Sequence, residues 1–124
     1  VSAMKIQIHS FDRAGVLVVG DFMLDRYCHG ATSRISPEAP VPVVHLGHSH
    51  ERAGVSANVS LNISALGAQT CLLGITGDDE PANSLASLLG GAGIRCAVQK
   101  IADTPTVTKM RVISRHQQLI RLDF

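Results

Sequence analysis

Short apolar runs and helix-period stretches alternate along this chain. Val16-Leu17-Val18-Val19 is unbroken apolar sequence, the pattern of a strand covered on both faces. It runs straight into Gly20-Asp21, which sets a carboxylate at the strand's carboxyl end, where open α/β sheets bind ligands. Residues 21–30 interleave polar side chains with Met23, Leu24 and Tyr27 and read as a polar turn region. Pro37, Pro40 and Pro42 fall within six residues, so residues 33–44 are extended and read as a flap over the site. Residues 41–46 form the next strand. From Ser56 the period changes. Val59, Ile63 and Leu66 recur at three- and four-residue spacings, predicting a helix over 56–66 closed by Gly67. Residues 70–75 are an apolar strand. Asp78, Asp79 and Glu80 precede Pro81, acids where a helix dipole favours them. They predict a second helix with Leu85, Leu88 and Leu89 on its buried face and Gly90-Gly91 at its end. Residues 94–101 read as a strand and Thr104-Pro105 as a break. Residues 107–113 and 118–124 read as a hairpin around Arg115-His116-Gln117. Residues 1–14 are weakly patterned and predict a short leading helix or a frayed arm.

The order is strand, flap, helix, strand, helix, strand, hairpin, an α/β arrangement with a small parallel sheet. Composition agrees with it. The chain of 124 residues is 45% apolar but only 3% aromatic, with no Trp, so its core is built from Val, Leu, Ile and Ala. That palette suits a parallel sheet flanked by helices. A sheet this small leaves edges to cover, which points to a larger parent fold or a partner chain. The net charge of +1 gives no global attraction to nucleic acid or to a membrane. Cys28, Cys71 and Cys96 are too widely spaced for a disulfide framework or a zinc knuckle and read as reduced thiols of a cytoplasmic protein. No apolar run approaches the ~20 residues that span a bilayer, and residues 1–10 lack the apolar segment of a signal peptide.

Several of these segments recur together in one family. Gly20-Asp21 with Asp25-Arg26-Tyr27, the run from Ser33 to Val44, Gly54 with Asn58, Thr108-Lys109-Met110-Arg111-Val112 and the run from Gln117 to Phe124 occur in this order. In that combination residues 16–124 resemble the amino-terminal half of ribokinase-like (PfkB) carbohydrate kinases, and within them the kinase domain of bacterial heptose 7-phosphate kinases. The resemblance implies a Rossmann-like parallel sheet with helices plus a small β-sheet lid, here about residues 31–52 and 104–124. It implies one kinase domain whose carboxyl half, with the ATP site, is absent. It implies transfer of the ATP γ-phosphoryl to the anomeric hydroxyl of D-glycero-D-manno-heptose 7-phosphate, giving the 1,7-bisphosphate used in lipopolysaccharide core synthesis. ATP and Mg2+ would serve the complete enzyme, and neither is expected to bind fully to these residues alone. A homodimer clasped through the lid is expected, with no nucleic-acid or membrane partner.

The same resemblance implies roles. Asp21 takes hydrogen bonds from sugar hydroxyls, where a carboxylate accepts strongly; its alternative is a turn or N-cap Asp. Asp25 either contacts the sugar or pairs with Arg26. Gly54 and Asn58 match a Gly-Gly-x-x-Asn element that approaches the sugar, but Val55 stands where the second glycine belongs. A β-branched residue disfavours φ > 0 and adds bulk there. The alternative is that Gly54 only enters a helix and Asn58 caps it. Lys109 and Arg111 share a strand face and are candidates for the 7-phosphate, with Arg34 in the flap a further one; the alternative is a solvated face. His45, His48 and His50 lack a completing ligand set and read as a solvent-facing strand rather than a metal site. The glycines around Gly74-x-x-Gly77 and Gly90-Gly91 are not phosphate loops. Cys71 reads as inert core.

The family's catalytic base belongs to a Gly-Ala-Gly-Asp element that these residues do not contain, so no base is assigned and the chain alone is expected to be inactive. Two alternatives stand beside the heptose kinase reading. One is a non-catalytic sugar-phosphate-binding or lid-mediated dimerisation module. The other is another sugar kinase of the same fold.

Overall fold

The computed structural model describes residues 8–124. The expectation for residues 1–14 falls partly outside them, and residues 8–14 hold no regular element beyond a turn at Asp12-Arg13. The elements are β1 (Gly15–Val19), β2 (Phe22–Ile35), β3 (Pro42–Gly54), α1 (Val55–Ala65), β4 (Gln69–Thr76), α2 (Glu80–Gly91), β5 (Arg95–Lys100), β6 (Thr108–Ser114) and β7 (Gln117–Asp123). They form two sheets. One is three-stranded and parallel, in the order β1-β4-β5; the other is four-stranded, in the order β3-β2-β6-β7.

The parallel sheet holds the core. Val18, Leu72 and Val98 meet Ala57 and Leu61 of α1 and Leu85 and Leu89 of α2, joined by Phe22, Leu24, Ala53 and Ile94. Both helices lie on this one face. The opposite face presents Leu17 (61% exposed), Val19, Leu73 and Ile75 to solvent. Cys71, read as core, belongs to this open face and is half-buried. Asp79 caps α2 by accepting the Ala82 N–H at 3.1 Å, as the acidic run before Pro81 predicts. Gly67 and Gly93, just past the two helices, take left-handed backbone.

The helix faces differ from the periodicity reading. In α1 the buried residues are Ser56, Ala57 and Ser60, whereas Val59 and Leu66 are exposed. Small residues let the helix sit close, and the Ser60 hydroxyl is satisfied by donating to the Ser56 carbonyl at 2.9 Å. In α2, Leu88 is exposed and only Leu85 and Leu89 join the core.

The largest correction concerns residues 21–46. Residues 22–30 are not a turn but the first part of the 14-residue strand β2, antiparallel to the 13-residue β3. The flap is therefore a long hairpin, with Pro37 and Pro40 at its tip and Pro42 at the start of β3. Polar side chains concealed the strand because it pairs on both edges: β6 lies parallel to it, from Leu24↔Thr108 to His29↔Ile113. The expected second hairpin is present. β6 and β7 turn through Arg115 (φ 49°) and His116 (φ 65°), the doubly left-handed turn that fits the twist of a two-residue hairpin.

Two glycines permit the chain crossings. A Cβ on Gly74 would collide with the Gly20 carbonyl and sit 2.6 Å from the Phe22 ring, and one on Gly77 would strike the Thr104 carbonyl. At both positions the missing side chain lets neighbouring backbone approach closely.

Candidate functional site

One face of the second sheet carries charged and aromatic side chains in cross-strand rows. Strand alternation puts Asp25, Tyr27 and His29 of β2 on this face. Register adds Arg52 and Lys109 beside Asp25, His50 and Arg111 beside Tyr27, and His48 and Ile113 beside His29. Arg111 reaches diagonally, and its Nη1 donates to Asp25 Oδ1 at 2.6 Å. The two side chains are only 20% and 14% exposed. This contact raises the Arg111 pKa further above its ordinary value. The guanidinium carbons of Arg111 and Arg52 lie 5.0 and 5.6 Å from the centre of the Tyr27 ring, within cation–π range.

Gly54 is what lets this row meet the first turn of α1. A Cβ there would lie 2.7 Å from Asp25 Oδ2 and 2.7 Å from the Met23 methyl. Gly54 is also the N-cap residue of α1, and no side chain caps that end. Asp21 sits just beyond β1, exposed, and its carbonyl accepts a short hydrogen bond from the Ser56 hydroxyl in the same first turn. Asn58 lies one turn further along α1 and is exposed. The Asp21 backbone and the Asp25 carboxylate thus both adjoin the α1 start, at Ser56 and Gly54.

Lys109 stands in the Asp25 row, opposite Asp123 on β7. Arg34 does not join the group: it is exposed near the far end of β2, opposite Val43. Asp25 does not pair with Arg26, so that alternative falls. Arg26 lies on the other face, where its Nε donates to Glu51 at 2.7 Å and its Nη2 to Glu80 of α2 at 2.7 and 2.8 Å. The Glu80 contact, followed by Glu51, holds the Arg26 pKa above its ordinary value against the opposing effect of burial. Among the described residues no carboxylate lies within ion-pair distance of Lys109, Arg52 or Arg34.

Val55 has φ 47°, left-handed backbone at a β-branched residue. The chain therefore keeps a glycine-type conformation at the position where the Gly-Gly element has its second glycine, and valine bears the strain.

Sequence reasoning missed Tyr27 and Arg52 as neighbours of the site. The signal was strand alternation through residues 22–30, hidden once they were read as a turn. It also missed Asp79 as a junction: its carboxylate accepts the Thr106 N–H at 2.8 Å and the Thr106 hydroxyl at 2.6 Å, fixing the entry to β6 on α2. Burial alone would raise the Asp79 pKa, but these bonds and the Ala82 N–H hold it below the usual range. Among the described residues no group of three or more His, Cys, Asp or Glu is placed to hold a metal ion. No helix among the described residues is long and apolar enough to cross a membrane.

The pattern of the pfkB family carbohydrate kinases matches residues 13–123. The chain belongs to that family. It is similar to the bifunctional protein HldE of Pseudomonas fluorescens strain SBW25, 63% identical over 121 residues, covering 98% of this chain and 26% of the relative. HldE of Pseudomonas putida strain W619 is 61% identical over the same length and coverage. The chain spans about a quarter of the length of the curated relatives it matches. The fold is that of ribokinase-like carbohydrate kinases. A carbohydrate kinase from Agrobacterium tumefaciens superposes with a TM-score of 0.75 at 22% identity, covering 90% of this chain and 35% of that one. Arabidopsis thaliana ribokinase complexed with ribose and ATP gives 0.71 at 20% identity, covering 90% and 35%.

Proposed function

We propose that this chain supplies the sugar side of a carbohydrate kinase that phosphorylates the anomeric hydroxyl of D-glycero-D-manno-heptose 7-phosphate. The observation that carries the reading is the Asp25 row. Arg52 and Lys109 flank a carboxylate already taken by Arg111, and Asp123 opposite Lys109 is taken by Arg121, so among the described residues neither cation has an ion-pair partner of its own. A phosphate dianion supplies one, with Arg offering a fork and Lys a point charge. Asp21 and Asn58 take the sugar hydroxyls, and Gly54 keeps the backbone close. Arg34 stays outside this set. The second sheet acts as the lid, in two segments that begin at Phe22 and Thr108. The 63% identity to a bifunctional HldE supports the heptose as the sugar.

ATP, Mg2+ and the catalytic base belong, on this reading, to a part of the kinase domain outside these 124 residues. The enzyme works in the cytoplasm, where ATP and sugar phosphates occur. The lid's other face carries Met110, Val112, Ile120 and Leu122 in register, with Ile120 and Leu122 exposed, and clasps the same face of a second copy.

Calorimetric titration of the chain with heptose 7-phosphate, ribose and fructose tests the site. Binding of the heptose phosphate alone, weakened at least about tenfold (about 1.4 kcal/mol) by Lys109→Gln, is expected. Equal binding of ribose or fructose would replace the heptose reading with another sugar kinase. For the complete protein carrying this chain, heptose-dependent ADP release is expected. Heptose binding without ADP release from that protein would establish the non-catalytic module.

A further inference from the structure

A separate cluster lies further out on the same sheet face. Rings of Tyr27, His50, His29 and His48 form one stack: Tyr27–His50 centroids are 4.9 Å apart, His50–His29 5.2 Å and His29–His48 4.7 Å, the planes within 17° of parallel. Beyond the stack, a groove of about 520 Å3 is lined by His29, His45, His48, Arg115 and His116 among others, and by no carboxylate. A bulge shapes it. The β2–β3 register slips between His29 and Gly30, skipping Gly47, and a Cβ on Gly30 would strike the His45 carbonyl. Such bulges re-aim side chains.

No carboxylate among the described residues lines this groove to balance Arg115. Around His29 stand His45, His48 and His50 from β3, Tyr27 from β2, Arg111 from β6 with Arg121 of β7 beside it, and Arg115 and His116 from the turn. Measured from the His29 row that lines the groove, the nearest carboxylates on the face are Asp25, held by Arg111, and Asp123, held by Arg121, both two rows away, roughly 13–14 Å along the strand. That is beyond the ~8–10 Å over which exposed charges act in physiological salt. His29 Nε2 is buried with no hydrogen-bond partner among the described residues, a costly state for a polar atom. Among the described residues Arg115 makes only a long contact, 3.5 Å from its Nη2 to the Thr32 carbonyl.

We propose that this groove is a proton-linked binding site for phosphate, either free phosphate or the phosphoryl group of an organic phosphomonoester, held by His29, His45, His48, His116 and Arg115. Phosphate oxygens accept from imidazole N–H and the Arg fork, which satisfies the orphaned nitrogen and the surplus charge together. Within the protein itself burial, with His48, His50 and His116, keeps the His29 pKa below its ordinary value. A bound anion reverses that balance, so binding takes up protons and tightens as pH falls. Each proton taken up strengthens binding up to about tenfold per pH unit. The site does not depend on the heptose reading, because it shares no residue with the Asp25 row.

The test is a titration of the chain with inorganic phosphate at about pH 6 and about pH 8, following the imidazole nitrogen resonances. Expected are shifts of His29, His48 and His116 and affinity at least about tenfold tighter at the lower pH. Arg115→Asn with His116→Asn should remove most of this binding. Asn tolerates the left-handed turn, so circular dichroism should stay unchanged. His29→Phe keeps a ring in the stack and should flatten the pH dependence. A hexose 6-phosphate run in parallel separates the sources: tighter binding than inorganic phosphate assigns an organic phosphate, weaker binding free phosphate. Unmoved imidazoles, equal affinity at both pH values, or the same shifts with chloride at matched ionic strength would overturn the site.

Discussion

The two sheets of this molecule are held together by different physics. The parallel sheet is stabilised by burial: Leu72, Leu85 and Leu89 are at most 1% exposed and interlock with small residues of α1. The second sheet shares that core only at its base, through Phe22, Leu24 and Ala53 of β2 and β3. All of β7 is exposed, and the sheet coheres through ladder hydrogen bonds, ion pairs such as Arg111–Asp25, and stacked rings. Burial is non-directional and tolerates no lost volume, whereas an ion pair on a half-open face responds to charge, salt and ligands. The first sheet is a platform. The second is the region whose geometry a charged ligand can change.

The sharpest way to break this contrast is to remove the same number of carbons from each sheet. Leu72→Ala should cost about 2–5 kcal/mol, enough to unfold much of a marginally stable chain. Leu122→Ala, on a side chain that is 39% exposed, should cost within about 0.5 kcal/mol. Urea unfolding followed by circular dichroism compares them. Similar losses would mean that the second sheet is packed as tightly as the first.

Next in size is the Arg111–Asp25 pair. Asp25→Asn leaves a half-buried guanidinium without its partner and should cost roughly 1–2 kcal/mol. In the heptose titration it should also change affinity by at least about tenfold, because Arg111 is freed to swing. If stability falls while affinity holds, the pair braces the sheet and takes no part in ligand binding.

The parallel sheet was legible in the sequence because its signals are local. Val16 to Val19, residues 70–75 and 94–101, the acidic cap at Asp79 and Gly67 each report on their own neighbourhood, and each lies where expected. What failed was the choice of face. Val59 and Leu88 repeat at helical spacing, yet the helices turn small residues inward, which periodicity weighted by size cannot see. Residues 22–30 failed for a different reason. A strand paired on both edges needs no apolar alternation when its two faces carry Asp25–Arg111 and Arg26–Glu51–Glu80; polar side chains there are partners, not solvent. The candidate residues were legible as residue types, their neighbours only in part. Gly54 and Arg111 meet at Asp25 and Lys109 shares its row, whereas Arg34 stands apart, and Tyr27 and Arg52 appear only once register is known.

Val55 sharpens the comparison where the two sheets meet. Its left-handed backbone costs roughly 1–2 kcal/mol at a residue with a Cβ, offset in part by the greater chain entropy of glycine. Val55→Gly should therefore raise stability by up to about 1 kcal/mol and tighten heptose 7-phosphate binding by removing bulk beside Gly54. A stability gain with unchanged affinity would place the residue outside the site. No gain in either would mean that its side chain repays the strain through packing.

The smallest expected effect is the pH dependence of the tie between the sheets' surroundings, Arg26 to Glu80. The Arg26 hydrogen bond lowers the Glu80 pKa, with burial opposing it and Ser84 assisting. A carboxylate whose folded pKa is depressed contributes stability above its unfolded pKa and loses it as pH falls through the folded one. The wild-type chain should thus be slightly more stable than Glu80→Gln at neutral pH, and the gap should close below the ordinary carboxylate range. Glu80 is mostly exposed, so salt should shrink the gap as well. A gap that persists unchanged in acid would mean that Glu80 anchors the hairpin through packing and neutral hydrogen bonds. The second sheet would then be attached by the same contact-based physics that holds the first together.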